Sequence, residues 1–283
     1  MKEIAQNIYI EDRYPGLVLG AIKLENGLVL VDAPFRNEDI LSWRTTLSDL
    51  SNSANRLLVI SDAQIDRTIG LRGMESIVLG HQNVVEILQN RSSSTRPQDI
   101  DAGAGVVPFD ISISTRWMLP EITYTDQFLI NLDNEPIRVS HHPGSHIAGS
   151  WVQIDAEKVL FVGDSVATNQ PPFLAWADLG CWIADLELLL SDAYQGYKII
   201  SARQGRVYQQ SIKKMLGILI FLEDFVKTLV EEPDSSKAIK DAVPSLLKNF
   251  NFEKTMIDLY RNRLVWGLEK YLLHHYVDEP ADE

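Results

Sequence analysis

Short apolar runs broken by turn residues fill the first two hundred positions of this chain, and stretches of helical period fill the rest. Residues 17–24 and 28–31 flank Glu25-Asn26-Gly27, where an Asn-Gly pair tolerates the positive φ of a tight hairpin. Asp32 closes the second of these strands. Asn37 reads as the N-cap of a helix carrying Ile40, Leu41, Leu47 and Leu50 at helical spacing. Residues 57–60 form a buried strand, and 77–79 another, followed by a helix with Val84, Val85, Ile87 and Leu88. Residues 91–107 are polar and broken by Pro97 and two glycines, so an exposed loop is expected there. Residues 128–132 pair with 137–139 around Asp133-Asn134-Glu135, and 151–154 with 159–162 around Asp155-Ala156-Glu157. A helical stretch, 178–194, leads to a strand at 198–200. Residues 207–230, 237–249 and 253–277 then read as helices, the second interrupted by Pro244.

Composition narrows what this pattern can serve. A chain of 283 residues, 45% of them hydrophobic, has ample material for a large core. Its formal charge of −13 disfavours a nucleic-acid backbone or an anionic membrane as partner. Met1-Lys2-Glu3-Ile4 lacks the layout of a secretory signal, and the longest apolar run, 215–222, is far short of the ~20 residues that span a bilayer. A single cysteine excludes an internal disulfide framework. The expectation is a soluble, cytoplasmic protein. Cys181 stands beside Leu179, Trp182 and Ile183, and reads as a buried structural thiol.

The residues that carry chemistry gather at strand ends. Strand 57–60 runs into Ser61-Asp62-Ala63-Gln64-Ile65-Asp66-Arg67 and then Thr68-Ile69-Gly70-Leu71. This layout resembles the metallo-β-lactamase superfamily, whose loop reads Thr-His-x-His-x-Asp-His before a Gly-rich helix start. Further segments carry the resemblance in order. Asn7-Ile8-Tyr9 through Gly27-Leu28-Val29-Leu30-Val31-Asp32 is similar to the family's opening hairpin. His141-His142-Pro143-Gly144-Ser145 resembles a His-Thr-Pro-Gly-Ser element, and Leu160-Phe161-Val162-Gly163-Asp164 a Leu-Phe-x-Gly-Asp strand. Ile199-Ile200-Ser201-Ala202-Arg203-Gln204-Gly205 falls where a Pro-Gly-His-Gly loop supplies the last histidine. The resemblance implies an α/β fold, a four-layer αβ/βα sandwich over residues 1–205. A helical C-terminal extension, 206–283, would pack on it or on a partner subunit.

The ligand positions depart from the family. Asp62, Gln64 and Arg67 stand where the loop has histidines, His141 falls on a ligand position with His142 in place of Thr, and Arg203 or Gln204 replaces the last histidine. A guanidinium has no lone pair to donate, so the resemblance leaves at most one metal site. Asp62, His141 and Asp164 are its candidate ligands, for zinc, manganese or iron, with Asp66 as general base if the centre is active. Three buried carboxylates need compensating charge, and Arg67 and Arg203 can fork onto them. An Arg–Asp–His network is therefore expected in the old metal cleft, with no cofactor, and with Gln64, Arg67, His142, Arg203 and Gln204 lining it. His146 reads as a loop residue near the cleft, His81 as structural, and His274-His275 as surface. Pro171-Pro172-Phe173 and Trp176 fit either the cleft mouth or the core.

Three functions fit these residues. One is a non-catalytic or repurposed protein whose cleft binds a small anionic ligand. The second is a hydrolase of an ester or related bond with an altered single-metal centre. The third is an interaction protein, or homo-oligomer, working through its C-terminal helices.

Overall fold

Alternation within single strands sets the layers of this molecule. In the computed structural model, which describes residues 1–91, 117–132 and 135–276, Leu28 and Leu30 pack with Trp43 and Leu47 of the first helix. Their neighbours Val29 and Val31 turn the other way, into an interior shared with Val139, Val152 and Phe161. On the far side Trp151, Leu160 and Ile199 pack with Trp182 and Leu186 of a later helix, while Val152, Phe161 and Ile200 face inward. This period of two in each sheet yields helix, sheet, sheet and helix in that order.

The described residues of the first sheet are seven strands in sequence order: β1 (Lys2–Ala5), β2 (Ile8–Glu11), β3 (Leu19–Leu24), β4 (Gly27–Val31), β5 (Arg56–Val59), β6 (Ile77–His81) and β7 (Ile122–Tyr124). The first four are antiparallel, and β4 to β7 are parallel. Helices α1 (Asn37–Leu50), α2 (Ile65–Thr68) and α3 (Gln82–Asn90) lie in the connections. The second sheet joins β8 (Gln127–Ile130), β9 (Ile137–His141), β10 (Ser150–Ile154), β11 (Val159–Phe161), β12 (Lys198–Ser201) and β13 (Gly205–Val207). Among its described residues only the β11–β12 pair is parallel, crossing over through α4 (Leu179–Leu190).

Helices α5 (Gln209–Glu231), α6 (Ser235–Leu247) and α7 (Ile257–Tyr276) complete the outer layer. Ile212, Met215, Leu219, Leu222, Val226 and Leu229 recur at three- and four-residue spacing on α5 and bury against the α4 side of the core. No helix among the described residues is long and apolar enough to cross a membrane.

Several expectations need correction. Arg36, extended at φ −85°, is the N-cap of α1, and Asn37 is its first helical residue. Leu41 faces solvent. Pro244 lies within α6 without interrupting it, since only Ser245 to Leu247 follow and the lost bond falls near the helix end. Val207 belongs to β13, not to a helix. Cys181 is exposed: Leu179, Trp182, Leu186 and Leu189 take the buried face of α4, and residue 181 lies about 100° away from 182. From residue 92 on, the loop expected at 91–107 lies outside the described residues, as do Asp133 and Asn134.

Candidate functional site

Four strand ends converge at one edge of the sandwich, and each brings a charged residue. Asp32 follows β4 with φ 61°, a left-handed geometry that Asp tolerates. Its Oδ1 accepts from Ser61 N and its Oδ2 from Ser61 Oγ, both at 2.8 Å, which ties the end of β4 to the end of β5. Asp62 Oδ1 accepts from Gln64 N at 2.8 Å, a side-chain turn that starts α2. The Gln64 carbonyl then accepts from Arg67 N and Thr68 N, and this single turn buries Asp66 and Arg67. Asp164 follows β11 after Gly163, whose φ of 54° lets the chain turn against Ser61. Arg203 follows β12, its amide bonded to Ser201 Oγ at 3.1 Å.

These side chains form one network. Arg67 Nη1 donates to Asp62 Oδ2 and Nη2 to Asp164 Oδ1, while Nε lies 3.2 Å from Asp32 Oδ2 as a charge contact without hydrogen-bond geometry. Arg203 donates from Nε to Asp164 Oδ1 at 2.8 Å and from Nη2 to Asp164 Oδ2 at 2.9 Å. Its Nη1 bonds Asp66 Oδ2 and the Gly16 carbonyl. Four carboxylates thus share two guanidinium groups, and no member is more than 6% exposed.

The electrostatics follow from burial and neighbours. Burial works against the Asp164 carboxylate, yet Arg203 and Arg67 together hold it well below the ordinary carboxylate range. Burial likewise opposes charge on Arg67 and on Arg203, and the surrounding aspartates hold both above the usual arginine value. Asp32 meets only one guanidinium; burial pushes it up to about 6, with Arg67 pulling down and Asp62 pushing up.

Two of the histidines fall differently from expectation. His141 makes no hydrogen bond or ion pair with Asp62 or Asp164: its Nε2 is bonded to the Ile147 carbonyl at 3.0 Å and its ring stacks on His81 at 3.7 Å. His142 is likewise turned from the network. It stacks on Trp151 at 3.6 Å and pairs through Nδ1 with Asp185 of α4 at 2.7 Å. The histidine beside the network is His146, 1% exposed and within electrostatic reach of Asp62, Arg67 and Asp164. Its Nδ1 accepts from Ala148 N at 3.0 Å, so the neutral ring carries its proton on Nε2. Burial pushes it down to about 4. The sequence carries only part of the signal. His-x-x-Gly-Ser occurs twice, at 141–145 and at 146–150, and only the second ends on the first residue of a strand.

Gln64 is buried beside the network. Gln204 turns away, its Oε1 accepting from Thr168 N at 2.9 Å, so Arg203 is the residue that reaches the carboxylates. Sequence reasoning missed Asp32 as a network member, and also Arg263 of α7. Arg263 is 1% exposed, with its guanidinium 3.9 Å from the Phe173 ring and 4.6 Å from that of Tyr260. Its Nη1 donates to Gln170 Oε1 at 2.8 Å. Burial drops it to about 9, and Phe173 also lies 4.9 Å from Arg203, which links the C-terminal helix to the network. His274 and His275 are exposed, as expected, and their rings bond the Ala175 and Ala177 carbonyls, fastening α7 to the same segment.

A metal does not fit this donor set. The carboxylate oxygens that would ligate an ion already accept from Arg67 and Arg203, and a guanidinium cannot be a ligand. Among the described residues, no group of three His, Cys, Asp or Glu side chains is arranged to hold one.

Two sheets back to back, with chemistry at the strand ends of one edge, define a four-layer α/β sandwich. Searches of the sequence against protein-family models and curated proteins find no match. In structure, the chain is similar to a stereoselective inverting sec-alkylsulfatase from Pseudomonas sp., with TM-score 0.70 and 14% identity, covering 98% of this chain and 50% of that one. It is also similar to a metallo-beta-lactamase family protein from Thermus thermophilus, with TM-score 0.67, 14% identity and 96% and 95% covered. A metallo-beta-lactamase from Pontibacter korlensis gives TM-score 0.59 and 16% identity over 77% and 97%. The chain spans about half the length of the alkylsulfatase. The fold is that of the metallo-β-lactamases, with a helical C-terminal segment.

Proposed function

We propose that this chain is a non-hydrolytic protein on the metallo-β-lactamase fold, in which a fixed Arg–Asp network stands where related proteins work with metal. The observation that carries this reading is Arg67, bonded at once to Asp62 and Asp164 in a buried centre. Without a metal to lower the pKa of a bound water, hydrolysis at Asp66 loses its main driver, and Asp66 is itself held by Arg203. A small anion, the ligand class expected from the sequence, would have to displace Asp164 or Asp66 from Arg203. Binding by this chain therefore falls to surfaces outside the network.

The test is metal content of untagged protein, by inductively coupled plasma mass spectrometry, before and after reconstitution with zinc, manganese and iron. The expected result is no stoichiometric metal. About one equivalent per chain, lost in His146→Ala, would overturn the reading and restore the hydrolase.

A second reading, self-association through the C-terminal helices, is favoured by Ile220 and Phe221, which leave α5 about half exposed. Sedimentation velocity decides between monomer and dimer.

A further inference from the structure

We infer that Asp32, Asp62 and Asp164 form an anionic cage whose resident is the Arg67 guanidinium, so that shortening Arg67 turns the cage into a binding site for free guanidinium ion. The inference rests on the reading above that the centre holds no metal.

The three carboxylates arrive from three strand ends, those of β4, β5 and β11, and from both sheets. Each meets a different nitrogen of one planar cation: Asp62 takes Nη1, Asp164 takes Nη2 and Asp32 faces Nε. The carboxylates are themselves fixed by groups other than Arg67. Ser61 holds Asp32, the Gln64 amide holds Asp62, and Arg203 holds Asp164 by both oxygens. A cage with its own supports keeps its shape when the guest is cut from its tether. Left empty, it would gather three like charges out of water, which is costly. The Arg67 methylenes contribute a tether and packing, whereas recognition lies in the trigonal N–H pattern. Free guanidinium has that pattern. A sodium ion lacks it, and a divalent ion would need the oxygens drawn in to within about 2.0–2.6 Å.

The experiment is thermal unfolding of Arg67→Ala in millimolar guanidinium chloride, far below denaturing levels, against sodium chloride and urea controls. The variant should lose roughly 10 °C in Tm and regain most of it saturably with guanidinium alone. Wild type should gain nothing, and Arg67→Ala/Asp164→Asn should not respond. Guanidinium that leaves the Arg67→Ala Tm at the sodium chloride value overturns the inference. So does restoration by zinc or manganese where guanidinium fails, since the cage would then select a divalent ion. If Arg67→Ala does not stay folded, refolding yield from urea is read with and without guanidinium, and an unchanged yield overturns the inference equally. Metal content of the wild-type chain bears on the functional reading alone, so the two can fail separately.

Discussion

Arg203 holds Asp164 by two hydrogen bonds, Nε to Oδ1 at 2.8 Å and Nη2 to Oδ2 at 2.9 Å. The pair joins the loops after β11 and β12, and the same guanidinium continues to Asp66 on α2. Lysine would keep the charge but not the fork. We expect Arg203→Lys to lose about 2–4 kcal/mol in chemical denaturation, close to the loss in Arg203→Ala, because either change leaves a buried carboxylate short of partners. A lysine variant as stable as wild type would mean that charge alone, without geometry, holds this joint.

Two buried groups titrate in opposite senses across the same pH range. Asp32 is raised from the ordinary carboxylate value to about 6, so the folded chain binds its proton first, and this group adds stability as pH falls from 7 towards 4. His146 is lowered to about 4, so the unfolded chain binds its proton first, and this group removes stability as pH falls through 6.5 towards 4. Each effect is on the order of 2–3 kcal/mol, and in the wild type they offset. Asp32→Asn should therefore unmask a fall in stability between pH 7 and 5, and His146→Gln a rise. Denaturation midpoints at stepped pH would read both; parallel profiles in the two variants would refute the assignment.

How much of this centre was legible in the sequence depended on whether a motif marked the residue as a ligand position. Asp66, Arg67, Asp164 and Arg203 lie on segments that resemble the motifs of one family, and that resemblance, rather than local pattern, brought them together. Asp32 was legible as a strand terminus but not as a network member, because no ligand position marks it and its contacts with Ser61 and Arg67 appear only in the folded chain. His141 and His146 sit in two registers of one local pattern. What separates them is the turn closed by Gly149 N to the His146 carbonyl at 2.7 Å, a three-dimensional fact. The strands β7 and β13 have three residues each, too few for a period of two to show.

Gly70 shows where the altered motif still constrains the backbone. A Cβ there would lie 1.9 Å from the Pro34 carbonyl oxygen and 3.3 Å from Ile40, with backbone on the tighter side. A Cβ on Gly217, in α5, would meet no described atom within 4 Å beyond its chain neighbours and its own helix backbone. Gly70→Ala should cost roughly 3 kcal/mol or more, as the loop after Asp32 is forced away from α2. Gly217→Ala should instead gain about 0.5–1 kcal/mol, since alanine loses less backbone entropy in a helix. Urea denaturation of the two variants reads the contrast, and a tolerated Gly70→Ala would mean that the Pro34 segment yields readily.

Removing everything after Val207 looks like the direct test of an interaction role for the C-terminal helices, but their packing argues against it. Ile212, Met215 and Leu219 are fully buried and share one cluster with Trp182, Leu186 and Leu189 of α4. Deleting α5 would strip that face and expose a continuous apolar patch, so the truncated chain should be recovered in the insoluble fraction. Loss of a partner on truncation would then report unfolding. Phe221→Glu is the sharper probe, because this side chain is 55% exposed and its removal should change stability by no more than about 0.5 kcal/mol. If α5 carries a self-association surface, sedimentation velocity should show the variant shifted to monomer with an unchanged Tm. An identical sedimentation profile for variant and wild type would take Phe221 out of any such interface.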